Sequence, residues 1–238
     1  MGIRKEKKNY ITPGELIGKE NNSKFLQILF MAVMTIFTIP YLAIQAIGAG
    51  YILNLKLGAI IVMITICLYV IFGGMKASGW TDVLQGLIMI FAMLIAFITI
   101  TINLGGIGKA SIMAYEAKPS LFSRPGPNNY YTIQIWLSFL ILWIFCDPMF
   151  PQLFTRFYTA KSEKSLMTSM YLYPLLISFF FLFPVLIGVW ANGVNIEVSN
   201  IDSILPEMVK KFSPRPIYSF VMIGALAALM STADGHAC

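Results

Sequence analysis

The stretch FLQILFMAVMTIFTIPYLAIQAIGAGYIL, from Phe25 to Leu53, contains no Asp, Glu, Lys, Arg or His. A helix needs about 20 predominantly apolar residues to cross a bilayer core, and this run exceeds that length with room for tilt. Its polar members are amides and hydroxyls, among them Gln27, Thr38, Tyr41 and Gln45. These cost far less in lipid than a full charge. Pro40 removes one backbone donor and predicts a kink. Tyr41 and Gln45 fall one turn apart on one face, beside Gly48 and Gly50. Gln45 in lipid requires a partner, either another helix or a solute.

Five further charge-poor stretches follow, at 57–73, 83–104, 131–150, 166–191 and 216–234. They are far too long for the strands of a membrane barrel. In lipid only helices or closed barrels satisfy the backbone. The expected fold is therefore all-α, a polytopic transmembrane bundle of about six spans. Gly73 to Trp80 reads as a short turn between the second and third. Gly105, Gly106, Pro119, Pro125 and Pro127 mark a loop between the third and fourth. Pro148 and Pro151 break the fourth, and Pro174 and Pro184 lie inside the fifth.

Composition points the same way. Of the 238 residues, 58% are hydrophobic and 12% charged, against roughly 25% charged in soluble domains. Mean hydropathy is +0.75. Disorder, collagen and a disulfide scaffold are excluded. The net charge of +6 is not a nucleic-acid signal, because its Lys and Arg residues lie between apolar runs without interleaved aromatics. Cys67, Cys146 and Cys238 form no CxxC pattern and His236 is the lone histidine, so neither a structural metal nor a redox cofactor is expected.

Residues 1–24 form a basic, amphipathic segment, with Thr12-Pro13-Gly14-Glu15 as a helix start: Thr12 as N-cap, Pro13 in the first turn and Glu15 reaching back. With the N-terminus in the cytoplasm, ten of the 17 Lys and Arg residues fall on the inner side, the orientation favoured by the positive-inside rule.

Carboxylates inside a membrane default to function. Asp82 opens the third stretch, where it reads equally as a helix N-cap or as part of an ion path. Asp147 lies deep in the fourth stretch beside Pro148, at a helix break where freed carbonyls can line a cavity. Asp234 lies close to the last residue. Ser231-Thr232 follows the small-residue run Gly224-Ala225-Leu226-Ala227-Ala228. Two adjacent hydroxyls with nearby carbonyls suit a hard cation, or simply bond to the preceding turn of their own helix.

Four segments then read together: Ile39-Pro40-Tyr41 through Gln45 to Gly50; Gly73-Gly74 through Trp80-Thr81-Asp82 to Gly86; Pro151-Gln152-Leu153-Phe154-Thr155-Arg156 with Ala160-Lys161-Ser162; and Ala227-Ala228-Leu229-Met230-Ser231-Thr232-Ala233-Asp234. In this order they resemble the sodium:solute symporter family, which includes sodium-coupled proline, pantothenate, monocarboxylate and sugar transporters. The resemblance implies a five-plus-five inverted-repeat fold around a midplane site, with these six stretches as core helices three to eight. On that reading core helices one and two precede Met1 and helices nine and ten follow Cys238. The isolated chain is then expected not to transport, since core helix one supplies backbone oxygens to the sodium site.

The resemblance assigns Ser231 and Thr232, with the Ala228 carbonyl, to the coupling sodium, and Asp82 to sodium handling near the cytoplasmic exit. Tyr41 falls on a functional tyrosine of the proline transporters, and Trp143 and Pro151 on positions that contact or gate substrate. Asp147 departs from the pattern, because relatives place an aromatic gate there. The implied activity is symport of sodium and a small organic solute across the plasma membrane by alternating access, without cofactor, nucleic acid or enzymatic chemistry. Residues Ile39 to Gln45 lean toward the pantothenate and monocarboxylate branch. Two other readings remain: an intramembrane aspartyl enzyme pairing Asp147 with Asp234, although the Gly-x-Gly-Asp motif is missing, and a non-transporting structural subunit.

Overall fold

A computed structural model of the chain describes residues 12–53, 57–146, 150, 153–154, 162–196, 198 and 200–237. Among them the regular structure is entirely helical: α1 (Pro13–Glu20), α2 (Lys24–Leu53), α3 (Gly58–Asn103), α4 (Ile107–Ala117), α5 (Ile133–Cys146), α6 (Glu163–Gly193), α7 (Ile204–Phe212) and α8 (Arg215–Ala237), with short 3₁₀ turns between some of them. The all-α expectation holds.

Thr12 and Pro13 stand at the start of α1 as their sequence places them. Thr12 Oγ1 accepts from the Glu15 amide at 3.2 Å and Pro13 occupies the first turn. The Glu15 side chain pairs with Lys19 one turn on. α2 runs through Pro40 as one helix. The expected turn at 73–80 is confined to a single residue. Helix continues on both sides of Gly74, whose φ of 58° and ψ of −164° interrupt α3. That backbone conformation is essentially restricted to glycine.

Two segments first read as loops are helices. α4 sits between Gly106 and Pro119, the punctuation that marked the loop, and buries Ala110 and Ala114. α7 buries Met208 and Val209 while Lys210 and Lys211 stay exposed, the one-sided pattern of a helix lying on a bundle.

Four helical segments, Lys24–Leu53, Ser78–Asn103, Glu163–Gly193 and Arg215–Gly235, are long and apolar enough to cross a membrane; Gly58–Gly74 and Ile133–Cys146 are shorter apolar helices. The six stretches of the sequence thus each fall on a helix. Many large apolar side chains face outward, including Phe37 at 73% exposure, Phe72 at 85% and Tyr171 at 77%. Water would not tolerate so continuous an apolar surface, and a lipid environment does. The protein is a multi-pass membrane protein.

The most extensive packing is between α3 and α8. Small residues permit it: a Cβ added at Gly224 would lie 2.1 Å from Ala92 Cβ, so the backbones meet where no side chain stands. One core cluster joins the second half of α3 to α4, α6, α7 and the start of α8, centred on Ile100, Ile187, Trp190 and Met208. A second joins α2, the first half of α3 and the end of α8 through Ala49, Val62, Ile66 and Ala233. The polar cluster described next lies beside the second.

Candidate functional site

The hydroxyl pair of α8 and the aspartate of α3 come together. Ser231 donates to Asp82 Oδ1 at 2.5 Å, and Thr232 donates to the Ala228 carbonyl of its own helix at 3.0 Å. Ala228, Ser231, Thr232 and Asp82 therefore form one oxygen-rich patch where α3 crosses α8. Thr232 bonds back to its own turn, as the second reading of the pair expected, whereas Ser231 reaches across to the neighbouring helix. Asp82 lies inside α3, eight residues beyond the break at Gly74, and its carboxylate accepts a hydrogen bond from α8.

One turn beyond Ser231 lies Asp234, fully buried. Its Oδ2 accepts from the Tyr69 hydroxyl at 2.7 Å and lies 3.2 Å from Thr81 Oγ1. Thr81 is also 2.9 Å from the Ser78 carbonyl, so its single proton is shared. A carboxylate within a membrane helix is costly, and the Tyr69 and Thr81 hydroxyls on Oδ2 offset part of that cost. Sequence reasoning did not find Tyr69 or Thr81. The available signal was the spacing of Ser231 and Asp234, which puts two polar groups on one face of α8.

Beside Ala228 a cavity of about 310 Å³ opens between α2, α3, α8 and the segment leading into α7. Gly48, Tyr51, Met89, Met93, Ala225 and Leu229 line it together with Asp202. Its volume is that of a small-ligand pocket. Asn200 Nδ2 donates to the hydroxyl of the lining residue Tyr51 at 2.6 Å, and Lys211 donates to the Val194 carbonyl at 3.1 Å. These bonds tie the segments on either side of the 3₁₀ turn Ile201–Ser203 to α2 and to the end of α6.

Tyr41 and Gln45 are half-buried on α2. The Tyr41 ring meets the Phe150 ring with centroids 5.4 Å apart. Trp143 is 58% exposed on α5, a helix that buries none of its residues. Asp147 and Pro151 lie outside the described residues. Among the described residues no group of three or more His, Cys, Asp or Glu side chains is placed to hold a metal ion. The oxygen patch contains one carboxylate, two hydroxyls and a carbonyl, hard donors suited to a hard cation rather than to zinc.

A family model described as the sodium:solute symporter family matches residues 3–237. The chain belongs to the sodium:solute symporter family. This is a family of transporters rather than enzymes, which removes the aspartyl-enzyme reading of Asp147 and Asp234. The chain is 26% identical to the sodium/pantothenate symporter of Haemophilus influenzae, over 96% of this chain and 48% of that protein. It is 24% identical to a monocarboxylate transport permease protein of Rhizobium johnstonii, over 93% and 47%. It is 22% identical to the sodium/pantothenate symporter of Escherichia coli, over 96% and 48%. The chain spans about half the length of these curated relatives. No solved structure matches it significantly.

Proposed function

We propose that this chain forms part of a secondary transporter that couples sodium entry to uptake of a small organic solute by alternating access. The observation that carries the reading is the Ser231–Asp82 bond. It joins the two segments that the family resemblance assigns to sodium, although they lie far apart in the chain. Sodium would be held by the Ala228 carbonyl and the Ser231 and Thr232 hydroxyls, with Asp82 on its path to the cytoplasm. A cation moving inward gains about 2.3 kcal/mol per 100 mV of membrane potential, and binding it favours one state of the bundle over the other.

The solute we assign is a small carboxylate. Relatives named for pantothenate and for monocarboxylates support that class, and the apolar cavity beside Ala228 suits the hydrocarbon part of such a molecule. Tyr41, Gln45, Trp143, Asp147 and Pro151 are proposed as solute contacts or gates. The N-terminal segment is placed in the cytoplasm and the bundle in the plasma membrane.

The test is uptake of radiolabelled pantothenate and lactate into proteoliposomes carrying the product of the complete open reading frame that encodes this sequence. An inward sodium gradient should accelerate uptake of at least one of them. Equal uptake of both when choline replaces sodium would overturn sodium coupling.

A further inference from the structure

α3 bends at Gly74 through that residue's own φ of 58° and ψ of −164°. A Cβ added at Gly74 would meet no atom within 4 Å, so no close packing at the glycine itself pins the bend. Side chains on either side of the break can hold its angle. One residue on each side, Tyr69 before Gly74 and Thr81 after it, converges on the same atom, Asp234 Oδ2, at 2.7 and 3.2 Å. Asp234 is fully buried, next to Ala233 in the cluster that also holds Ile66 of the first half of α3.

This junction is adjacent to the cation patch on both helices. Thr81 immediately precedes Asp82, and Asp234 lies one turn beyond Ser231 on the same face of α8. The Thr81–Asp234 and Asp82–Ser231 contacts thus cross the α3–α8 interface side by side. A rotation of the second half of α3 that breaks one strains the other.

We propose that Asp234 is a positioning residue: by gathering Tyr69 and Thr81 on one carboxyl oxygen it sets the bend of α3 at Gly74 and holds Asp82 within reach of Ser231. Swinging the second half of α3 about Gly74 then withdraws Asp82 from α8, which makes the bend a control over cation occupancy. The cation step rests on the function proposed above; the control of the bend does not.

Two measurements on the product of the complete open reading frame that encodes this sequence, in lipid nanodiscs, test this. In a background with every cysteine changed to Ser, Cys67, Cys146 and Cys238 included, spin labels are placed at Ile64→Cys and Leu87→Cys, outward-facing positions 54% and 50% exposed on either side of the bend. The parent should give one narrow distance distribution. Asp234→Asn, Tyr69→Phe and Thr81→Val should each broaden or shift it, and Asp234→Asn with Tyr69→Phe should add little to Asp234→Asn alone, because both remove the same junction. Tyr69→Phe and Thr81→Val keep the reading decisive if Asp234→Asn does not insert. Unchanged distributions in these variants overturn the proposal. Radiosodium binding by the same proteins provides the second measurement. Binding should weaken roughly tenfold when the junction is lost, the scale of one charge-assisted hydrogen bond. A broadened bend with unchanged sodium affinity overturns the link to Asp82. An absence of sodium binding in every variant, parent included, counts against the proposed function and leaves the bend decided by the distances.

Discussion

Ser231 on α8 donates its hydroxyl proton to Asp82 Oδ1 on α3 at 2.5 Å, although the two residues lie on opposite sides of the long run from α4 to α7. This contact places the hydroxyl pair and the motif aspartate in one site, and the first prediction concerns it. Ser231→Ala and Asp82→Asn should each weaken sodium dependence in the complete transporter by about 1.5–3 kcal/mol, a factor of roughly 10 to 150 in the sodium half-saturation. The double variant should be no worse than the more severe single one. Sodium titration of uptake measures this, and full additivity would show that the two residues act separately.

Thr232 gives a contrasting expectation. Its hydroxyl donates to the Ala228 carbonyl of its own helix at 3.0 Å. Thr232→Val keeps the side-chain shape and should change thermal stability by less than about 1 kcal/mol. It should still weaken sodium affinity if the hydroxyl turns to the ion, whereas Thr232→Ser should restore that affinity. Melting curves and radiosodium binding on the same preparation separate the two effects.

The α3–α8 contact should be sensitive to a single methyl group. A Cβ at Gly224 would lie 2.1 Å from Ala92 Cβ, so Gly224→Ala should destabilise the bundle by about 1–3 kcal/mol through overpacking. Ala92→Gly in the same chain should recover most of the loss. Thermal unfolding in detergent reads both, and a failure of rescue would show that the helices do not approach at these residues.

Gly74→Ala isolates backbone conformation from packing. The added methyl group has open space around it, yet φ of 58° with ψ of −164° is a region that alanine avoids at a cost of about 1–3 kcal/mol. The variant should therefore either lose stability by that amount or change the angle between the two halves of α3. Circular dichroism melts together with the distance measurement across the bend distinguish these outcomes.

Proteoliposomes containing only these 238 residues should show no sodium-driven uptake of pantothenate or lactate. The oxygens that α8 offers, one carbonyl and two hydroxyls, leave a sodium ion short of the usual complement of hard ligands. Sodium-dependent uptake by this chain alone would show that its site is complete.

Much was legible in the order of residues. The uncharged run Phe25–Leu53 and the five after it established helices in lipid, because the cost of unsatisfied backbone and of charge in hydrocarbon acts locally on each segment. Thr12 announced α1 because a cap acts within one turn. The segments Trp80-Thr81-Asp82 and Ser231-Thr232 carried the family resemblance, and through it the expectation of a cation site. α4 and α7 were missed as helices, since their Gly and Pro flanks masked short segments stabilised by burying Ala114 and Met208 against distant neighbours.

Composition and periodicity by themselves determined that this protein is a helical membrane bundle, and its motifs determined its family. Tertiary structure alone decided that Asp82 meets Ser231, that Asp234 joins Tyr69 to Thr81, and that the break between two helices is the single residue Gly74. The reason is physical. Hydropathy and capping depend on each segment's own side chains, whereas a hydrogen bond between α3 and α8 exists only once Gly224 has let the two backbones close on each other.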